Sequence, residues 1–251
     1  MSEHRSQPSV SRTEHRLRVE LAALYRIIAM YGWDDLLATH ISVRLPGPEH
    51  QFLINPLGRL FWEITGSSLV KVDLDGNVLE ARAVAINPAG FTIHSAVHAA
   101  RPDAQCVIHL HTIAGVAVSS QTQGLLPLNQ TAMLLTGRVA YHDFEGIALD
   151  LDERSRLVAD LGANNAMILR NHGTLAVGSS VGDAFQTMYF LERACAIQVA
   201  ALSGGATPNI PPPSVQDVVT RQTASFGDIA DRLLWPALLR RLDHSDRGYR
   251  E

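Results

Sequence analysis

The chain reads as an α/β fold with a mixed sheet, and three observations point there. Apolar residues recur at helical spacing over long stretches: Leu17, Leu21, Leu24, Ile27 and Ile28, and later Phe185, Met188, Tyr189, Ala196 and Val199. Short strand-like runs lie between them, such as Thr39-His40-Ile41-Ser42-Val43-Arg44 and Cys106-Val107-Ile108-His109-Leu110. The two kinds of segment alternate irregularly, which suits helices packed on a mixed sheet better than a regular doubly wound series.

In chain order, residues 1–12 are polar and read as a mobile arm. A first helix begins at Thr13, capped there or by a nearby acid, and closes near Gly32. Residues 39–44 and 51–54 form a hairpin around Pro46-Gly47-Pro48. After Asn55-Pro56-Leu57-Gly58, residues 69–73 make another strand that runs into the Asp75-Gly76-Asn77 turn. Residues 91–100 are helical and stop at Arg101-Pro102-Asp103. The strand containing His109 follows, then a helix over 113–120. An amphipathic helix over 152–161 leads into a strand that ends at His172. A long helix over 181–203 ends at Gly204-Gly205. Residues 208–213 form a stiff connector, residues 215–241 one or two helices interrupted by Pro236, and the last ten residues a charged, frayed end. The expected layout is an arm (1–12), one domain (13–205), and a Pro-rich connector with a C-terminal helical extension (206–251) packed on it.

Composition narrows the function classes. At 251 residues the chain fits one large domain with a substantial core. Hydrophobic residues make up 46% and charged residues 18%, ordinary for a globular protein. A formal net charge of -4 speaks against a nucleic-acid binder that neutralises phosphates. The two cysteines, Cys106 and Cys195, rule out a disulfide scaffold and suit a reducing compartment. No apolar run reaches the roughly 20 residues that span a bilayer, and the polar N-terminus lacks the apolar stretch of a signal peptide. The expectation is a cytoplasmic protein with no membrane and no nucleic-acid partner.

The chemistry centres on three histidines. Alternate residues of a strand share a face, so His109 and His111 can reach one metal ion together if strand geometry holds through Thr112. His172 closes a second strand-like run and is followed by Gly173, which lets the chain turn. Three histidines at strand ends make a metal site that keeps coordination positions open for substrate.

The string Asn87-Pro88-Ala89-Gly90-Phe91-Thr92-Ile93-His94-Ser95-Ala96-Val97-His98, followed by His109-Leu110-His111-Thr112, resembles the class II aldolase/adducin family. So do Phe52-Leu53-Ile54-Asn55-Pro56-Leu57-Gly58, Val139-Ala140-Tyr141-His142-Asp143 and Ile168-Leu169-Arg170-Asn171-His172-Gly173, and the likeness spans roughly residues 15 to 205. The resemblance implies a layered α/β/α fold around a central, mostly antiparallel sheet. It implies one divalent metal held by His109, His111 and His172, usually zinc, with manganese or iron as other candidates. It also implies a homo-oligomer, typically a tetramer, with active sites between subunits.

The match fails where the aldolases do their proton chemistry. By resemblance, their acidic acid/base residue corresponds to Gly90, and the phosphate-holding serines to Pro88 and Ala89. Their Gly-Asn phosphate pair corresponds to Thr39 and His40, the pocket threonine to Leu57, and the intersubunit tyrosine to Gln130 or Thr131. A phosphate dianion needs several donors, and Pro88 supplies neither an N–H nor a hydroxyl. A retro-aldol step needs a base, which Gly90 cannot be. The expected activity is therefore a metal-dependent carbon–carbon lyase, aldolase- or decarboxylase-like, on a small unphosphorylated hydroxy or carboxy carbonyl compound. A non-enzymatic interaction protein like the adducin head, or an iron-dependent oxygenase of the same fold, are the alternatives. His40 and His94 are the candidates for the missing acid/base, and Asn55, Gly58, Arg59 and Gln130 for substrate contacts. Arg170 and Asn171 flank His172, where a hydrogen bond could fix its tautomer.

Overall fold

The computed structural model describes residues 10–80, 84–205, 207–223 and 228–251. Helix α1 spans Arg12–Met30 and is capped by Ser11, whose hydroxyl accepts the Glu14 N–H at 3.1 Å. The cap therefore lies two residues before Thr13, and the helix takes in the end of the expected arm. Residues 1–9 lie outside the described residues.

Seven strands follow: β1 (His40–Arg44), β2 (Phe52–Ile54), β3 (Val70–Val72), β4 (Cys106–Leu110), β5 (Val139–His142), β6 (Ala166–Leu169) and β7 (Gly173–Gly178). They form one sheet in the order β3-β2-β1-β4-β7-β6-β5 among the described residues. Only β5 and β6 run parallel; every other neighbouring pair is antiparallel. The 39–44/51–54 hairpin is present, with Val43 opposite Leu53.

The helices are α2 (Pro88–Ala100), α3 (Ile113–Ser119), α4 (Gln130–Met133), α5 (Glu153–Leu161), α6 (Val181–Leu202), α7 (Pro213–Thr223) and α8 (Trp235–Ser245). Strand alternation sorts them into two layers. Val107 of β4, Met167 and Leu169 of β6 and Leu175 and Val177 of β7 pack under Ile93 and Val97 of α2 and Leu157 and Leu161 of α5. The opposite faces, carrying Ile41, Val43, Ile108 and Leu110, meet Leu21 and Leu24 of α1 and Phe185 and Met188 of α6. The central strand β4 is buried on both faces, as its continuous apolar run requires.

Other boundaries also differ from the sequence expectation, and three have a local reason. Helix α2 starts at Pro88 rather than Phe91, because proline suits a first turn and Asn87 caps it. Pro236 does not interrupt a helix. It sits in the first turn of α8, which continues a π-helical turn over Ala230–Leu234. The C-terminal end is not frayed: Tyr249 is fully buried with Trp235, Leu238 and Leu242 in the α1 core, and Ser67 N–H donates to the Glu251 carbonyl at 2.7 Å. None of the helices among the described residues is long and apolar enough to cross a membrane.

One buried hydroxyl ties α1 to the strands that carry the site. Tyr25 donates to the Ile41 carbonyl or to Asn55 Oδ1 (2.8 Å) and accepts the Ile41 and Asn55 backbone N–H groups at 2.8 and 3.2 Å. Tyr25→Phe would strand two buried donors, so we expect a loss of about 1–3 kcal/mol, read from the urea unfolding midpoint. An unchanged midpoint would remove Tyr25 from the framework of the site.

Candidate metal centre

Strand β4 ends at Leu110, one residue short of the geometry expected for His111. The two imidazoles nonetheless meet, with Nε2 atoms 2.9 Å apart and ring centroids 4.7 Å apart. His172 also lies beyond its strand. It occupies the turn between β6 and β7, after Asn171 in the left-handed region at φ 55°. Its ring centroid is 4.8 Å from those of both His109 and His111. One nitrogen from each of the three rings falls within 4.8 Å of the others.

Gly173 makes this approach possible. A Cβ there would stand 2.4 Å from the Leu110 carbonyl oxygen and 2.9 Å from His111 Cδ2. The turn that carries His172 can thus lie against the end of β4 only if residue 173 has no side chain.

Outer partners orient two of the rings. His109 Nδ1 donates to the Thr174 carbonyl at 3.0 Å, which leaves Nε2 as the lone-pair nitrogen. His111 Nδ1 lies 3.2 Å from Asp35 Oδ2. Burial depresses the basicity of all three. It holds His109 well below the ordinary imidazole value, helped by His40 and His172, and takes His172 down to about 4, helped by His111 and His142. His111 is lowered by burial even though Asp35 pulls the other way. Neutral imidazoles with defined tautomers are what a divalent transition metal needs, and a three-nitrogen set suits zinc or iron better than magnesium or calcium. The residues fit such an ion.

A second histidine cluster stands directly behind the triad. His40 on β1 lies opposite His109 in the sheet register and stacks on it, with centroids 5.0 Å apart. His40 Nδ1 is 2.9 Å from His94 Nε2; His94 Nδ1 bonds Ser42 Oγ, and Ser42 Oγ is 2.7 Å from His98 Nε2. These four groups are buried, and burial drives His40 and His94 well below the usual imidazole range and His98 to about 3. With neutral rings, the single Ser42 proton forces every bond in this chain to point the same way. Two arrangements satisfy that rule. In one, His40 Nε2 is a bare lone pair; in the other it carries the proton.

The space for His40 comes from Gly90. A Cβ at residue 90 would stand 2.6 Å from His40 Cδ2 and 2.8 Å from Cγ. Two departures noted in the sequence, the glycine at 90 and the histidine at 40, are therefore one packing event. The start of α2 is altered as well. Pro88 has no N–H, and the next two backbone donors, Ala89 and Gly90, are taken by Asn87 Oδ1 at 3.0 and 3.3 Å.

The remaining candidates are spread out. His94 backs His40 and does not join the triad. Asn55 is buried with its side-chain oxygen committed to Tyr25. Gly58 occupies a turn at φ 94°, Arg59 is exposed beside it, and Gln130 is the exposed first residue of α4. Among the described residues, none of these last four shares a hydrogen bond or ring contact with the triad. Arg170 bonds the Gln121 and Thr122 carbonyls and covers the Tyr141 ring, so it does not orient His172. His142, from the 139–143 motif, is gripped by Asp160 Oδ2 at 2.7 Å and faces Glu153 Oε1 at 3.4 Å. Sequence reasoning missed Asp35 and the Thr174 carbonyl, because both meet the histidines only through tertiary register.

Residues 19–199 match the family model described as class II aldolase and adducin N-terminal domain. A Caulobacter vibrioides protein, assigned to the class 2 aldolases by name only, is 56% identical over 241 residues, covering 96% of this chain and 94% of its own. The crystal structure of an aldolase II superfamily protein from Pseudomonas syringae superposes with a TM-score of 0.91 at 52% identity, covering 96% of this chain and 98% of its own. Rat alpha-adducin is 46% identical over 199 residues, which cover 78% of this chain but 27% of the adducin. The family model, the relatives and the fold agree, and the chain belongs to the class II aldolase and adducin family.

Proposed function

We propose that the protein is a divalent-metal-dependent carbon–carbon lyase acting on a small, unphosphorylated hydroxy or carboxy carbonyl compound. The observation that carries this is the pairing of an intact histidine triad with a closed phosphate site. His109, His111 and His172 would hold the ion, zinc by preference and iron or manganese otherwise. Such an ion, when bound, polarises a carbonyl or carboxylate oxygen and so stabilises the carbanion left by bond cleavage. The start of α2 offers a phosphate neither hydroxyls nor free N–H groups, since Asn87 takes the two available donors. His40 fills the room beside Gly90 and presents Nε2 as lone pair or N–H, the role an acid/base needs. Decarboxylation fits this best, because it needs no base for a substrate hydroxyl. His94 acts through His40, as its hydrogen-bonded support.

Exposed apolar side chains around the triad support assembly of several copies with the site at their contact. Ile113 is 91% exposed one residue after Thr112, Phe144 lies with its ring centroid 6.4 Å from His172, and Leu36 and Leu37 follow Asp35. Exposed Arg59 and Gln130 are proposed to reach substrate in that assembled site, while Asn55 and Gly58 shape the loop beneath. The buried free thiols Cys106 and Cys195 suit the reducing cytoplasm.

The test is turnover by the zinc-loaded protein on matched pairs of carbonyl substrates, with and without a phosphate. The expected result is cleavage of the unphosphorylated member, with kcat/KM at least 100-fold higher, equivalent to about 2.7 kcal/mol. Preference for the phosphorylated member, or no cleavage of a broad 2-oxo and 2-hydroxy acid panel, would sink the proposal. The adducin-like alternative predicts a protein that holds no metal. Oxygen-dependent turnover with iron would favour the oxygenase.

A further inference from the structure

Helix α6 buries a carboxylate on the apolar side it turns to the sheet. Glu192 is 2% exposed and lies one turn beyond Met188, itself fully buried. Among the described residues no lysine or arginine reaches it. Its partners are two hydroxyls: Thr112 Oγ1 donates to Oε2, and Thr174 Oγ1 donates to Oε1 at 2.6 Å. Gly115 presses on the same spot, where a Cβ would stand 2.9 Å from Thr112 Oγ1 and 3.0 Å from Glu192 Oε1. Burial raises the Glu192 pKa while the two hydroxyl bonds oppose that rise. An unpaired buried carboxylate costs stability, and a leucine would fill the position more favourably. A role in the site explains why the position holds a carboxylate.

The two threonines supply that role. Thr112 directly follows His111, and Thr174 is two residues past His172. The Thr174 carbonyl is also the group that orients His109 Nδ1. Two oxygens of one side chain thus hold the backbone beside all three imidazoles. We propose that Glu192 is the positioning residue of the metal centre, a brace from α6 that sets the three histidines in ligating register. This rests on the metal-site assignment made above.

The experiment measures zinc affinity by competition with a chromophoric chelator, together with the visible absorption spectrum of the cobalt-loaded protein and the melting temperature. It compares wild type with Glu192→Leu and with the isosteric Glu192→Gln. Glu192→Leu is expected to keep or raise the melting temperature of the metal-free protein, weaken zinc binding about 10–100-fold, and alter the cobalt spectrum. Glu192→Gln keeps the volume and one acceptor oxygen, and should weaken zinc binding about tenfold whether or not the leucine variant folds. If either folded variant binds zinc as wild type does and shows an unchanged cobalt spectrum, Glu192 is merely structural and the proposal is overturned. If wild type itself takes up no stoichiometric zinc or cobalt, the metal-site assignment fails, and the brace fails with it.

Discussion

His109→Ala is expected to abolish stoichiometric metal binding, leaving less than ~0.2 ion per chain where the wild type holds one. His109 sits at the junction of everything in the site. It faces His111 and His172, its Nδ1 is fixed by the Thr174 carbonyl, and its ring lies on His40. Two histidines alone make a weak site, so the loss should exceed the 10–100-fold that removal of an outer partner costs. Asp35→Asn provides that smaller step, because the Asp35 carboxylate bonds only the far nitrogen of His111. Thermal unfolding gives a second readout. Free zinc at 100 times its Kd should stabilise the wild type by about 2.7 kcal/mol and the variant by essentially nothing. A folded His109→Ala protein that retained one ion per chain would place the metal elsewhere and remove the basis of the lyase proposal.

Much of this centre was legible in the sequence, and the part that was not has a common cause. His109, His111 and His172 announce themselves by strand spacing and by the glycine after the third. Even so, strand geometry stops at Leu110, and convergence comes instead from the tight β6–β7 turn that Gly173 permits. The pairs His40/Ser42 and His94/His98 show the two-residue and four-residue periods of one strand face and one helix face. Their union into a hydrogen-bonded chain depends on where α2 lies over β1, which periodicity does not encode. Strands β5 and β7 were hidden for a different reason. Residues 139–142 stand out only through the family motif and residues 173–178 carry no strand assignment, because each run directly follows polar or turn-forming residues. Glu192 did leave a trace. It falls in the apolar stripe of α6, between Met188 and Cys195, where a charged residue contradicts the pattern. A break of that kind marks a position held for chemistry rather than for packing.

The coupling between residues 40 and 90 carries the second large prediction, and here a sign should reverse. In the wild type, Gly90→Ala places a methyl carbon within 2.6 Å of a ring that cannot retreat, because His94 holds its Nδ1 and His109 lies against its face. Overpacking of that kind costs about 1–3 kcal/mol and should also disturb the triad through the His109 stack. Remove the ring with His40→Ala and the three atoms nearest that methyl, all of them in the His40 ring, are gone. Residue 90 lies in the first turn of α2, where alanine is the better helix former by up to about 1 kcal/mol. Gly90→Ala is thus expected to destabilise the wild type and to stabilise the His40→Ala protein, a coupling of roughly 2 kcal/mol in a double-mutant cycle read by urea unfolding. Additivity within about 0.5 kcal/mol would show that glycine at 90 is not held there by histidine at 40. The cycle bears on function as well as packing. If the sign reverses, a side chain at position 90, such as the acidic residue that the family resemblance puts there, cannot coexist with the His40 imidazole.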